Sequence, residues 1–110
     1  MIDWTRVKDL QSEIGEDDFL EVLEMFLEEA DEVVAHLDGT ADLATVESRL
    51  HFLKGSALNL GLTALATLCQ SGEKSAAMGQ AALVDVREVT ASYQASKAQL
   101  LEALGRSEAA

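Results

Sequence analysis

The segment Leu50–Ala57 places a histidine, a lysine and a glycine close together, as His51, Lys54 and Gly55. On an α-helix, residues three and four positions apart are neighbours on one surface, so Lys54 and Gly55 would both lie beside His51. An exposed neutral imidazole is a nucleophile whose ring nitrogen can accept a phosphoryl group. The lysine would supply a flexible positive charge for that group, and the glycine would leave room for a partner to approach.

Apolar residues recur three and four positions apart along the chain, which predicts helices and no strands. A short helix is expected from Asp3 to Ile14, ending at Gly15. Four longer helices are expected over about 17–37, 43–60 with its end at Gly61, 62–78 and 82–104. Short connections favour antiparallel neighbours. The sequence therefore predicts an all-α fold, an antiparallel up-down-up-down four-helix bundle with a short extra N-terminal helix.

The third predicted helix has one apolar arc, formed by Leu43, Val46, Leu50, Leu53, Ala57 and Leu60. His51 lies roughly 130° from the centre of this arc and Gly55 nearly opposite it, with Lys54 on the flank between. We therefore expect the imidazole to meet solvent, and a buried structural histidine is the alternative. Glycine inside a helix costs about 1 kcal/mol relative to alanine, so a closely packed helix or a docked partner is expected at Gly55.

Composition restricts the classes of partner. The 110 residues fit one small domain, residues 1–110, and eight basic against twenty acidic residues give a net charge of −12. This charge argues against nucleic acid and anionic membranes as partners.

No apolar run approaches the roughly 20 residues that span a bilayer. The first residues lack the features of a signal peptide and the lone cysteine cannot form an internal disulfide, so we expect a cytoplasmic protein. A monomer is expected because the predicted bundle closes its own core.

The run from His51 to Gly61 resembles the H-x-L-K-G-S-x-x-x-L-G signature of histidine-containing phosphotransfer (HPt) domains. The similarity continues to Glu73 in the pattern L-x-x-x-C-x-x-L-E, with Gly72 in the position of the usual leucine. It covers about residues 47–73. The flanking helices agree with the family only in number, length and amphipathicity.

The resemblance implies a four-helix bundle with His51 as the phosphoryl acceptor of a multistep two-component phosphorelay. His51 would exchange the group with an aspartate on a response-regulator receiver domain. Lys54 would stabilise the charge of the phosphate, and Gly55 would give steric access. Ser56 would help to order the site or would be a small helix-packing residue. Glu73, on the following helix, would orient the His51 ring.

The expected partners are a receiver domain and a histidine kinase or hybrid kinase. The chain has no P-loop and lacks the length of an ATP-binding domain, so we expect a phosphoryl carrier that does not use ATP itself. We expect no cofactor on this chain, and the divalent metal that aspartyl-phosphate chemistry needs would sit on the receiver. Since the chain begins with methionine and contains no second domain, a stand-alone protein is expected.

Two other classes of function remain open. A non-catalytic helical docking module for a receiver or kinase would not require the histidine or the lysine, and Phe52 and Leu58 are candidate partner contacts under either hypothesis. A metal or hydrolytic site has little support, because His36 and Cys69 have no second ligand at metal-site spacing. We expect His36 at a solvated helix end and Cys69 in the core.

Overall fold

Five α-helices make up the computed structural model, which describes residues 2–37, 43–80 and 85–105. In chain order they are α1 (Trp4–Ile14), α2 (Glu16–Ala35), α3 (Leu43–Leu60), α4 (Thr63–Ala77) and α5 (Val86–Ala103). Beyond an isolated antiparallel bridge between Ile2 and Leu62, the described ranges contain no strand. The all-α prediction is confirmed. None of the helices in these ranges is long and apolar enough to cross a membrane.

The start of α5 differs from the prediction. Asp85 has an extended backbone, and its side chain accepts a hydrogen bond from the backbone N–H of Glu88 at 3.1 Å. A short acidic side chain in this position caps a helix, because it satisfies one of the unpaired N–H groups of the first turn. The helix therefore begins at Val86, and a start near Ala82 was too early. Residues 82–84 lie outside the described ranges.

The end of α3 is built around Gly61. Its φ of +78° lies in the left-handed region, and Leu62 N–H donates to the carbonyl of Ala57 at 2.7 Å, which closes the last turn. A Cβ at this position would lie 2.6 Å from the carbonyl oxygen of Asp3, whose N–H donates to the Gly61 carbonyl at 2.7 Å. Gly61 thus ends α3, as predicted, and also lets the segment before α1 pack against it.

The core contains apolar side chains from all five helices. The described members of the predicted α3 arc are all buried, namely Val46, Leu50, Leu53, Ala57 and Leu60; the side chain of Leu43 is not among those described. α3 packs most extensively against α4, which continues unbroken through the buried Gly72. Gly72 therefore lies buried inside a continuous helix and does not break it. The opposite face of α3 is left facing solvent.

A polar contact joins α5 to α2. The hydroxyl of the buried Tyr93 donates to Asp31 Oδ1 at 2.6 Å, and Lys97 Nζ lies 2.9 Å from Asp31 Oδ2. Because α3 also contacts both α2 and α4, and α4 contacts α5, the four longer helices enclose the core as a bundle. This bundle holds α3 and α4 at a fixed rotation about their axes, which decides what their exposed side chains can reach.

Candidate functional site

Three of the predicted site residues meet where α3 packs against α4. His51 and Lys54 lie one turn apart on α3, and Glu73 extends from α4 towards both. His51 Nδ1 is 2.7 Å from Glu73 Oε2, and Lys54 Nζ is 2.8 Å from Glu73 Oε1. One carboxylate therefore bridges an imidazole and an ammonium group.

The three side chains differ in their exposure to solvent. The His51 side chain is 69% exposed, whereas the Lys54 and Glu73 side chains are 23% and 20% exposed. The ring thus faces solvent while the groups that hold it are largely covered. The expectation of an exposed imidazole is confirmed, and the alternative of a buried structural histidine is wrong.

The protonation state of Glu73 determines which ring nitrogen of His51 is available. The hydrogen bond from the Lys54 ammonium lowers the pKa of the Glu73 carboxyl below its ordinary 4.5; partial burial acts in the opposite direction, and the hydrogen bond from His51 lowers the pKa further. Glu73 is therefore ionised at neutral pH and can only accept hydrogen bonds. In the neutral ring, Nδ1 must then carry the proton, which leaves the lone pair on Nε2.

Gly55 leaves an open surface beside the imidazole. It is exposed, and a Cβ added to it would meet nothing within 4 Å. No helix of the described chain packs closely against this position. Of the two uses expected for this glycine, close packing is not supplied by the described helices, and the open surface fits the approach of another molecule.

The other predicted residues of α3 lie on different sides of the helix. Phe52 and Leu58 are 38% and 57% exposed. Leu58 is seven positions beyond His51 and lies on the same side of α3, whereas Phe52 lies on the far side of Gly55. Ser56 is buried and is turned away from the flank that contacts Glu73. The geometry favours the packing role for Ser56. It does not bring Ser56 into contact with His51, Lys54 and Glu73, which together form the His51 cluster.

Cys69 and His36 have the surroundings that the sequence indicated. Cys69 is fully buried one turn before Glu73, and burial, together with the Glu73 charge, raises the pKa of its thiol to about 12. His36 is exposed at the end of α2, where its Nδ1 donates to the carbonyl of Glu32 at 2.7 Å. Within the described ranges, no group of three or more His, Cys, Asp or Glu side chains could hold a metal ion.

Two features of this region were not predicted. The first is the Lys54–Glu73 ion pair, although both residues were expected beside His51 and carry opposite charges. The second is a groove between α2 and α3 on the far side of Gly55, lined by Glu29, Glu32, Val33, His36, Arg49 and Phe52. The groove forms only where α2 and α3 pack together, so no local sequence motif predicts it.

Comparison with models of protein families gives a match over residues 21–110, to the family described as Hpt domain. The matched range begins within α2 and contains α3, α4 and α5, with His51, Lys54 and Glu73. Searches of curated proteins and of solved structures gave no match.

Proposed function

Because this chain belongs to the Hpt domain family, whose members carry phosphoryl groups in two-component phosphorelays, we propose that it carries one on His51. The group would be exchanged with an aspartate of a response-regulator receiver domain and would originate from a histidine kinase or hybrid kinase. The observation that carries the proposal is an exposed imidazole whose Nδ1 lies 2.7 Å from an ionised carboxylate. Hpt domains have no ATP site of their own, so the partner supplies the activated phosphate.

The transfer step uses the lone pair of His51 Nε2. It attacks the phosphorus of the receiver's aspartyl phosphate, forming an N–P bond while the P–O bond to the aspartate breaks and the carboxylate leaves. Nδ1 keeps its proton, so the ring becomes positively charged as the bond forms. Glu73 already accepts a hydrogen bond from this nitrogen and stabilises the developing charge, as the carboxylate does in a catalytic triad. Transfer to a receiver reverses the same steps.

Lys54 would act at a different stage. Before transfer, its ammonium neutralises the Glu73 carboxylate, which would otherwise repel an incoming phosphoryl group. Transfer adds negative charge one helical turn away, and the flexible lysine stem allows the ammonium to turn towards the phosphate oxygens. Lys54 would therefore stabilise first the carboxylate and then the phosphohistidine.

The open surface of α3 would receive the partner. Gly55 offers close approach, and the exposed Phe52 and Leu58 offer apolar contacts on either side of it. We propose that the receiver brings the divalent metal needed for its own aspartyl-phosphate chemistry. A cytoplasmic location and a monomeric state fit this role and belong to the proposal.

The proposed acceptor can be tested by incubating the protein with phosphorylated receiver domains from the source organism and locating the label by mass spectrometry. His51→Gln should remove labelling. His36→Gln is the matched control, because it changes the other histidine of the chain, and it should be labelled like the wild type. Normal labelling of His51→Gln would refute the proposal. A receiver that binds tightly but never labels the wild type would instead indicate a docking module.

A further inference from the structure

An open groove of about 390 Å³ lies between α2 and α3. Val33 and Phe52 give it apolar surface, and Glu29 and Glu32, three positions apart on α2, give it two exposed carboxylates. A site of this kind suits a side chain with an apolar stem and a polar end, because the stem can lie on apolar atoms while the end stays hydrated.

The groove and the reactive ring flank the same open surface. Successive residues are 100° apart around a helix, so Gly55 lies between His51 and Phe52 around α3. A Cβ at Gly55 would meet nothing within 4 Å. A partner that rests on Gly55 therefore has the imidazole on one side and the groove on the other.

The charges around the groove favour a cation. The sequence of α2 contains no lysine or arginine, and the chain as a whole has a net charge of −12. Arg49 also lines the groove, and its guanidinium donates to the carbonyl of His36 at the end of α2 at 2.6 Å. Among the ion pairs of the described residues, none involves Glu29 or Glu32.

We propose that this groove receives an arginine or lysine side chain of the receiver domain while the receiver's aspartate faces His51; this inference rests on the proposed function. The methylene stem packs on Val33 and on the ring of Phe52, whose face also attracts a cation. The charged end pairs with Glu29 and Glu32. An acidic side chain would be repelled there, and a purely apolar one would desolvate the carboxylates without pairing them.

The test compares two double variants of α2 that remove the same charge. Glu29→Gln with Glu32→Gln alters the groove, whereas Glu21→Gln with Glu28→Gln alters exposed carboxylates outside it. The probe is a receiver domain that labels His51, and its Kd is measured by titration calorimetry at low and high salt. The groove variant should bind about fivefold more weakly at low salt, and the difference should shrink at high salt. The control should change Kd by less than about twofold.

Phosphohistidine labelling at saturating receiver separates the two hypotheses. Both double variants should reach the wild-type extent of labelling, because neither changes the His51 cluster. Intact labelling with an unchanged Kd for the groove variant overturns the groove assignment and leaves the proposed function standing. Equal weakening of both variants also overturns it, since general attraction by α2 would then explain the affinity. If no receiver labels the wild-type protein, the proposed function fails and this inference fails with it.

Discussion

Replacing Glu73 should slow phosphoryl transfer to His51 while leaving the fold intact. Glu73→Ala removes both contacts of the carboxylate, whereas Glu73→Gln keeps an acceptor for Nδ1 but loses the negative charge. Both partners of Glu73 lie at the edge of the α3–α4 interface and reach solvent. Loss of these two contacts should therefore change the free energy of unfolding by about 1 kcal/mol or less.

The expected effect on rate follows from the hydrogen bond to His51. A hydrogen bond to a charged group contributes about 1.5–3 kcal/mol. The His51 side chain is 69% exposed, so solvent competes with Glu73 and roughly half of that contribution remains. The remaining contribution of about 0.8–1.5 kcal/mol corresponds to transfer roughly four- to twelvefold slower for Glu73→Ala. The upper value meets the lower end of the range found when carboxylates that orient metal-bound histidines are replaced, about 10–100-fold. Glu73→Gln should fall between this variant and the wild type.

Rapid-quench kinetics with excess phosphorylated receiver would measure the transfer rate, and ¹⁵N NMR of the imidazole would show which ring nitrogen carries the proton. Glu102→Ala, which removes an exposed carboxylate from α5, is the control and should have no effect on either measurement. In Glu73→Ala the proton should no longer be confined to Nδ1. A wild-type transfer rate together with wild-type ¹⁵N shifts in that variant would refute a positioning role for Glu73.

Three further predictions concern the glycines and the charge of Glu73. Gly55→Leu should slow transfer from a receiver by roughly tenfold or more, because a side chain would displace the partner, but labelling by the small donor phosphoramidate should persist. Equal loss with both donors would contradict steric access. Gly61→Ala should lower the free energy of unfolding by about 1–3 kcal/mol in urea denaturation, since φ is +78° and a Cβ would clash with the Asp3 carbonyl. Gly79→Ala shares the positive φ without the clash and should cost less, so equal losses would argue against the contact with Asp3. Because the pKa of Glu73 is lowered, its charge and the contacts that it makes should persist above pH 4.5 and disappear only as the pH falls through the lower native pKa. A carboxyl titration followed by ¹³C NMR would contradict this if its midpoint lay at or above pH 4.5.

The helices and the exposed side of α3 could be predicted because they depend on local periodicity. The spacing of apolar residues placed His51 away from the core arc, and the structure leaves its side chain 69% exposed. The start of α5 could not be placed in the same way. Small and apolar residues precede Asp85 and extend the helical pattern, so only the cap geometry identifies Val86 as the first helical residue.

Most of the features that could not be predicted from the sequence are contacts between helices. The resemblance pointed to Glu73, but its pairing with Lys54 depends on the rotation of α4 relative to α3. The contact of Asp31 with Tyr93 joins residues far apart in the chain and has no local signature. Gly61 was expected to end α3, and its second role appears only because the segment before α1 folds back onto it.

Because Cys69 is buried, the surface of the native protein offers no reactive thiol in the described ranges. Cys69 is the chain's one cysteine, it is fully buried, and its thiol has a pKa of about 12, so thiol reagents should leave the native protein almost unmodified. A cysteine introduced at Gly55 would then be the reactive thiol of the folded protein, on a surface with room for a side chain. Disulfide trapping from that position would report which residues of a partner come within bonding distance of this surface beside His51.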